Sequence, residues 1–572
     1  MKHTSQQSRH TLWIVPILAL LVSGLLACTS PPSPETMSVK NPIVAETPTE
    51  PSPPTTTSTA LPAAPIPTSA PESSPATATP IPTQTPPPPA STAGDVPTTI
   101  PTALPANTPQ PAVTPIPEPT STPEPASTPA QSPAPAPTPT PVLDSPFGAE
   151  LNRPLGDQSL DLLKSAGIHW IRRNGVAWHK VEPEPGQRNW NKLARFDAEL
   201  KLAHENGLTP IIIVRGTPAW AQKVSGSFCG PIAEHAFDDF ADFMVALVER
   251  YKDAPYHVKY WELGNEPDAG FYEGDRVYGC WGDKNAPYYG GGYYGEMLKV
   301  VYPAIKSADP EARVVIGGLL LDKHPDHPAA GPNAPARFLV GVLVAGAGDY
   351  FDIVSFHGYP HYTKQLEDWE FTSLDNWRDW GGVVAGKAEY VRQVLATHGY
   401  EKPLMFTEGG LICHPLVCSP EPTEQFWHDQ ADYLPRLYTR NIAIGIEVTF
   451  WYSLEGPGWR WGSLLRRDLS PKPAYIAYHT LTSELEGSTY VREIVEADYD
   501  PEIQGYVFAR ADRTVHVIWG TDAQVRPVQV DASKIIRVLN KYGEPVALTS
   551  KEDQTWLNVG FSPLYVEWSS SS

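Results

Sequence analysis

Basic residues are scarce in this chain: 43 Lys and Arg stand against 64 Asp and Glu over 572 residues, a formal net charge of −21. Nucleic acid or an anionic membrane surface calls for a positive footprint. Neither is expected as a partner, whereas a neutral polymer is compatible. Long hydrophobic runs are also missing, because the apolar stretch from Leu12 to Leu26 falls short of the roughly 20 residues a membrane span needs. Cysteine is rare, at five residues. No metal motif is evident, and neither a metal nor a cofactor is expected. From about Pro31 to Ser145 the large apolar side chains are too few to bury a core and offset chain entropy. Most of the 65 prolines lie there among Thr, Ala and Ser. This stretch reads as a semi-rigid, polyproline-like spacer of up to about 3 Å per residue. The other reading, a Pro-rich ligand for a partner domain, lacks a single repeated PxxP core.

At the amino terminus, basic residues (Lys2, His3, Arg9, His10) precede the apolar run, and small residues precede Cys28. That order is a secretory signal. Its end, "GLLAC", resembles the bacterial lipoprotein box, which implies that Cys28 becomes a lipid-bearing terminus. The expected location is extracytoplasmic, anchored at the cell surface or secreted, in an oxidising space. The expected organisation is 1–28 signal and lipobox, 29–145 disordered spacer, 146–485 a large domain and 486–572 a small one. The chain is expected to act as a monomer.

From Phe147 onward, short apolar runs alternate with amphipathic patterns. Eight runs read as strands: "FGAEL", "HWIRRNG", "TPIIIVRG", "KYWELGNE", "RVVIGGLL", "DIVSFHGY", "PLMFTEGG" and "AIGIEVTFWYSL". Leu193 to Asn206 has helical spacing through Leu193, Phe196, Leu200 and Ala203. Phe237 to Tyr251 repeats that spacing with Phe237, Phe240, Met244, Leu247 and Val248 on one face. Continuous apolar strands alternating with helices imply parallel strands covered on both sides, and eight units predict a (β/α)8 TIM barrel. After "KPAYIAYHTLTSEL" the runs "IQGYVFARA", "RTVHVIWG", "IIRVLN" and "LYVEW" alternate and are separated by turn residues, predicting a small antiparallel β-sandwich. It shows no clustered aromatic platform, so it reads as a packing module rather than a carbohydrate binder.

Two strands end in glutamate: Glu266 in "YWELGNEPD" and Glu408 in "PLMFTEGG". Catalytic groups of this fold sit at the carboxyl ends of the strands. Two carboxyl groups there are the minimum equipment for cutting a glycosidic bond. Glu266 ends the fourth candidate strand and Glu408 the seventh. The chain thereby resembles the retaining glycoside hydrolases of clan A, with features shared by families five and thirty-nine. In that clan the acid/base follows an asparagine at the end of strand four and the nucleophile ends strand seven.

The resemblance implies further roles. Asn265 would bind the sugar 2-hydroxyl. Arg173, or its neighbour Arg172, would steady the nucleophile; a barrel-end ion pair is the other reading. His357 would stand near the acid/base and Tyr359 near the nucleophile, with a structural histidine as the alternative for His357. Trp451 would form a flat floor for a sugar ring, and Trp220 and Trp178 would line the cleft, although core packing explains those two nearly as well. The implied reaction is double displacement, which requires carboxyl groups about 5 to 5.5 Å apart rather than the roughly 6.5 to 9.5 Å of inversion. The competing class is a carbohydrate-binding or scaffold lipoprotein on the same fold.

The four remaining cysteines lie in loops after candidate strands three, four and seven. In an oxidising compartment they predict two disulfides, Cys229–Cys280 and Cys413–Cys418, out of the three connectivities that four cysteines allow. A zinc site from Cys413, His414 and Cys418 is the alternative, although that loop lacks the usual paired spacing. Which sugar and linkage are recognised lies in the loops "GFYEGDRVYGCWGDKNAPYYGGGYY" and "HYTKQLEDWEFTSLDNW".

Overall fold

The computed structural model describes residues 145–270, 280–372, 375–456 and 458–569. The signal segment, Cys28, nearly all of the Pro-rich spacer and part of the insert after the fourth strand lie outside the described residues.

Eight parallel strands close into a barrel in sequence order. They are β1 (Phe147–Leu151), β2 (Trp170–Ala177), β3 (Thr209–Arg215), β4 (Tyr260–Leu263), β5 (Arg313–Leu319), β6 (Ile353–Gly358), β7 (Leu404–Gly409) and β8 (Thr449–Trp451). The principal helices of the outer ring are α1 (Asp157–Ser165), α2 (Trp178–Val181), α3 (Ala194–Glu205), α4 (Phe237–Tyr251), α5 (Gly291–Ala308), α6 (Phe338–Val344), α7 (Lys387–Thr397), α8 (Glu424–Ala443) and α9 (Pro473–Leu485). All eight strand readings and both helix readings fall on these elements. Residues Trp190–Leu193 form a separate single turn before α3, which moves the start of that helix to Ala194.

Side chains on a strand alternate between faces, and in the barrel one face looks inward. Trp170, Ile211, Tyr260, Val315, Ile353, Met405, Val448 and Phe450 meet inside it as one apolar cluster. Gly148 leaves the room: a Cβ there would stand 2.7 Å from the Phe450 ring. This layer closes the floor. Nearer the carboxyl ends, inward positions such as Glu150, Arg172 and Glu262 are polar, and they form the mouth.

The remaining strands make two antiparallel sheets. One has the order β13-β16-β11-β10-β9 and the other β12-β15-β14, from β9 (Thr489–Glu493), β10 (Ile503–Arg510), β11 (Arg513–Gly520), β12 (Arg526–Val530), β13 (Ile535–Asn540), β14 (Thr549–Lys551), β15 (Gln554–Val559) and β16 (Leu564–Ser569). Alternation gives the larger sheet two buried faces. Ile518 and Val566 join Leu557 and Val559 in the sandwich core. Phe508, Val515, Val517, Trp519 and Tyr565 face the other way and belong to the same apolar core as the barrel. At that boundary the Arg436 guanidinium of α8 lies 3.9 Å from the Phe561 ring centroid and donates to the Phe561 carbonyl. Lys541 reaches Asp432 of α8 at 2.5 Å. The small domain is thus a packing module of the barrel.

Phe561→Ala is expected to destabilise the whole protein by about 3–5 kcal/mol, read by denaturant unfolding. Deleting residues 487–572 is expected to leave the barrel poorly soluble, checked by expression and thermal melting; a barrel that melts unchanged would refute the shared core.

Candidate active site

The inward polar layer is built around Arg172. Trp170 of β2 points inward, so alternation sends Arg172 inward as well, and Arg172 is fully buried. Its Nε and Nη2 donate to the two oxygens of Glu262 at 2.7 and 3.1 Å, and Nη2 also donates to Asn265 Oδ1 at 2.6 Å. Its Nη1 donates to Glu150 and to Glu408, each at 2.5 Å. A planar fork with five N–H groups suits such multiple carboxylate contacts.

The same alternation corrects the expectation for Arg173. It points outward, pairs with Glu199 of α3 at 2.8 Å and donates to the Leu151 carbonyl at 2.7 Å. Of the two arginines, Arg172 reaches Glu408.

Glu266 follows β4 in a turn where Gly264 and Glu266 itself both have positive φ, +86° and +53°. For a glutamate this left-handed backbone is strained, a condition that clusters at functional sites. The Glu266 N–H donates to the Gly318 carbonyl at 3.0 Å. Asp268, two residues on, accepts from the Leu320 and Leu321 N–H groups and ties this turn to the end of β5. The Glu266 carboxyl lies 3.0 Å from His357 Nδ1. Burial, the Glu408 charge and Asp268 push its acid well above the usual carboxyl range, against the pull of Arg172.

His357 ends β6 beside Glu408 in register. It is fully buried, and burial together with the charges of Arg172 and Lys387 holds its imidazole neutral, well below its usual pKa. Gly318 makes space for the ring, since a Cβ there would stand 1.9 Å from His357 Nε2. Lys387 donates to the His357 carbonyl at 2.9 Å and pins the strand end. Tyr359 donates its phenol to Glu408 Oε2 at 2.6 Å. Burial and the Glu408 charge raise the Tyr359 phenol well above its normal range, which keeps it a donor. Glu408 therefore accepts from Arg172 on one oxygen and from Tyr359 on the other.

Glu266, His357 and Glu408 offer side-chain atoms all within 4.8 Å of one another. Carboxylate and imidazole are metal-binding types, but here Glu266 meets His357 Nδ1 and Glu408 accepts from Arg172 and Tyr359. Trp451 departs from expectation. It is fully buried and donates to the Gly462 carbonyl at 2.6 Å, because with Phe450 inward Trp451 faces the helix layer. The next inward residue, Tyr452, is half-buried and stands edge-on to Tyr359 at 6.1 Å. Trp459 meets Tyr359 from another side at 4.9 Å. Trp178 is core: it is 1% exposed, donates to Glu182 and packs on Phe240 at 4.9 Å. Trp220 is half-buried against Trp178.

Sequence reading missed Glu150, Glu262, Arg215 and Tyr452. An acid inside a short apolar strand, as in "FGAEL" and "YWEL", was the available signal for the first two, and counting alternation from Phe450 for Tyr452. Arg215 ends β3, donates to Asn174 at 2.5 Å, and burial lowers its pKa to about 10. Cys229–Cys280 joins the loops after β3 and β4, and Cys413–Cys418 closes a turn after β7. The latter bond uses both sulfurs that a zinc site would need.

No protein-family model matches the chain, and no curated protein matches it. Among solved structures it is similar to a family 39 glycoside hydrolase from the gut symbiont Bacteroides cellulosilyticus WH2. That likeness has a TM-score of 0.56 at 22% identity, covering 74% of this chain and 80% of that one. It is also similar to a conserved exported protein from Bacteroides fragilis, with a TM-score of 0.51 at 12% identity over 70% and 88% of the two chains. The shared property is the fold, one found in glycoside hydrolases.

Replacing Arg172 by Met is expected to cost about 3–5 kcal/mol of stability, because it leaves buried carboxylates without their partner. Denaturant unfolding measures this; a loss under about 1 kcal/mol would mean that those carboxyl groups are already neutral.

Proposed function

We propose that the protein is a retaining β-glycosidase acting on plant-type or microbial polysaccharide, or on oligosaccharides released from it. The observation that carries this reading is the facing pair of carboxyl groups. Glu266 is held uncharged beside neutral His357, and Glu408, within 4.8 Å, is gripped by Arg172 and Tyr359. That proximity suits double displacement, for which carboxyl groups stand about 5 to 5.5 Å apart rather than the roughly 6.5 to 9.5 Å of inversion.

In the first step a Glu408 oxygen attacks the anomeric carbon while Glu266 gives its proton to the departing oxygen. In the second, Glu266 takes a proton from water, whose oxygen displaces Glu408 and frees the sugar. Asn265, whose Oδ1 accepts from Arg172, binds the 2-hydroxyl in this reading. Tyr452, Trp459 and Trp220 are the aromatic surfaces for sugar rings. The fold likeness to a family 39 glycoside hydrolase supports membership of the same clan.

We further propose that Cys28 carries lipid and that the Pro-rich segment holds the enzyme off the membrane as a monomer. Among the described residues no helix is long and apolar enough to cross a membrane. The two disulfides favour an oxidising, extracytoplasmic space.

A panel of aryl β-glycosides and polysaccharides tests the reading. Sugar release is expected from the wild type, with Glu408→Gln nearly inactive and Glu266→Gln slowed about 10²–10⁴-fold on poor leaving groups. Absence of turnover on the whole panel, with Glu408→Gln still binding glycans, would establish the binding-protein alternative. The raised Glu266 acid sets the basic limb. Glu266 is protonated below its shifted pKa and works as an acid there, so kcat/KM is expected to fall as pH rises through that value. The Glu266→Gln variant should lack this limb.

A further inference from the structure

Arg172 carries one positive charge and faces three carboxyl groups. Glu262 takes the Nε side and also accepts from the Gly318 N–H at 2.7 Å and the Ser355 hydroxyl at 3.0 Å. Glu150 and Glu408 instead meet the same nitrogen, Nη1, each at 2.5 Å. Two anions converging there repel each other. The proposed reaction changes only one of them, since Glu408 loses its charge on becoming an ester. Glu150 is the group placed to answer that change: it is 3% exposed, and Arg172 is its one side-chain hydrogen-bond partner among the described residues.

We infer that Glu150 is a positioning residue of alternating charge: a neutral acid on Arg172 while Glu408 is an anion, and a carboxylate while Glu408 is bonded to sugar. Nη1 then faces one anion at every stage, and Arg172 keeps its place when its nucleophile partner turns neutral. The inference rests on the glycosidase reading of the site.

The groups around Glu150 support it. Arg172 faces it from β2, Glu408 from β7 and Glu262 from β4, with Arg215 of β3 within electrostatic reach. Burial first, and the Glu408 charge second, push the Glu150 acid up to about 8 against the pull of Arg172. Esterifying Glu408 removes the second cause and leaves Arg172 unopposed by it, so the Glu150 acid falls. The cycle balances. A Glu408 oxygen bonds the anomeric carbon, the bond from that carbon to the leaving oxygen breaks, and the Glu266 proton goes to the leaving group. The Glu150 proton goes to water at the mouth. It returns when Glu266 deprotonates a water molecule and that water's oxygen releases Glu408.

The test counts protons while the covalent intermediate is trapped. Dinitrophenyl fluoro-deoxy-β-glycosides of xylose, glucose, galactose and mannose are the probes, since their phenolate leaves without a proton. Release is followed with an indicator dye at about pH 7, and labelling by mass spectrometry. The wild type is expected to release up to about one proton more than Glu150→Gln. Trapping rates of the two should agree within about tenfold, because glutamine keeps a neutral partner on Nη1. Glu150→Asp, which retains an ionisable carboxyl, should restore the proton. Equal release from fully labelled wild type and Glu150→Gln would overturn the inference alone. Should Glu150→Gln not fold, the count is made in Glu266→Gln: proton release there supports Glu150 as the source, and none overturns it. A protein that no probe labels and that turns over no glycoside overturns the glycosidase reading and this inference together.

Discussion

A single buried guanidinium organises the mouth of this barrel. Arg172 donates to side chains carried by β1, β4, the turn after β4, and β7. Its own strand supplies the β2 wall. Because it bonds Asn265 and Glu408 directly, the neighbour of the candidate acid and the candidate nucleophile share one rigid fork. Burying one positive charge among several carboxyl groups is costly unless some of them are protonated. Burial, together with the same crowding of charge, holds the Glu266 acid well above the usual carboxyl range.

The barrel sets this arrangement through its layering. The apolar cluster of Trp170, Ile211, Tyr260 and Phe450 fills the floor, so Arg172, Glu262 and Tyr452, two positions beyond Trp170, Tyr260 and Phe450, are lifted to the mouth. Bulges in β2, β5 and β7 break the register near the carboxyl ends of those strands. They re-aim side chains where the site lies, as bulges commonly do. Gly318 and Lys387 then fix His357 from two sides, one by vacating space and one by holding its carbonyl. The small domain bears on α8, whose preceding loop carries Cys413–Cys418, so its packing steadies one wall of the mouth without adding a residue to the carboxylate cluster.

Much of this was legible from residue pattern. The eight strands, the C-terminal sandwich, both disulfides and the position of Glu266 and Glu408 at strand ends follow from local signals: apolar runs, alternation, turn residues and an oxidising compartment. The misplacements share one cause. Arg173 and Trp451 are the expected residue types near a strand end, but a one-residue step on a strand turns a side chain from the barrel mouth to the helix layer. Arg172 and Tyr452 are the corresponding inward neighbours. Glu150 and Glu262 escaped notice because an acid within a short strand has no sequence partner to announce it.

Periodicity and residue type therefore determined the number of strands, the order of elements and the two carboxyl groups available for chemistry, since these depend on neighbours within a few residues. The closed barrel decided the rest: which face each strand turns inward, that Glu150, Arg172, Glu262 and Glu408 meet, and hence which acid keeps its proton. Those properties arise from distances and desolvation between residues remote in the chain, which are established only when β1 pairs with β8 and water is excluded from the mouth.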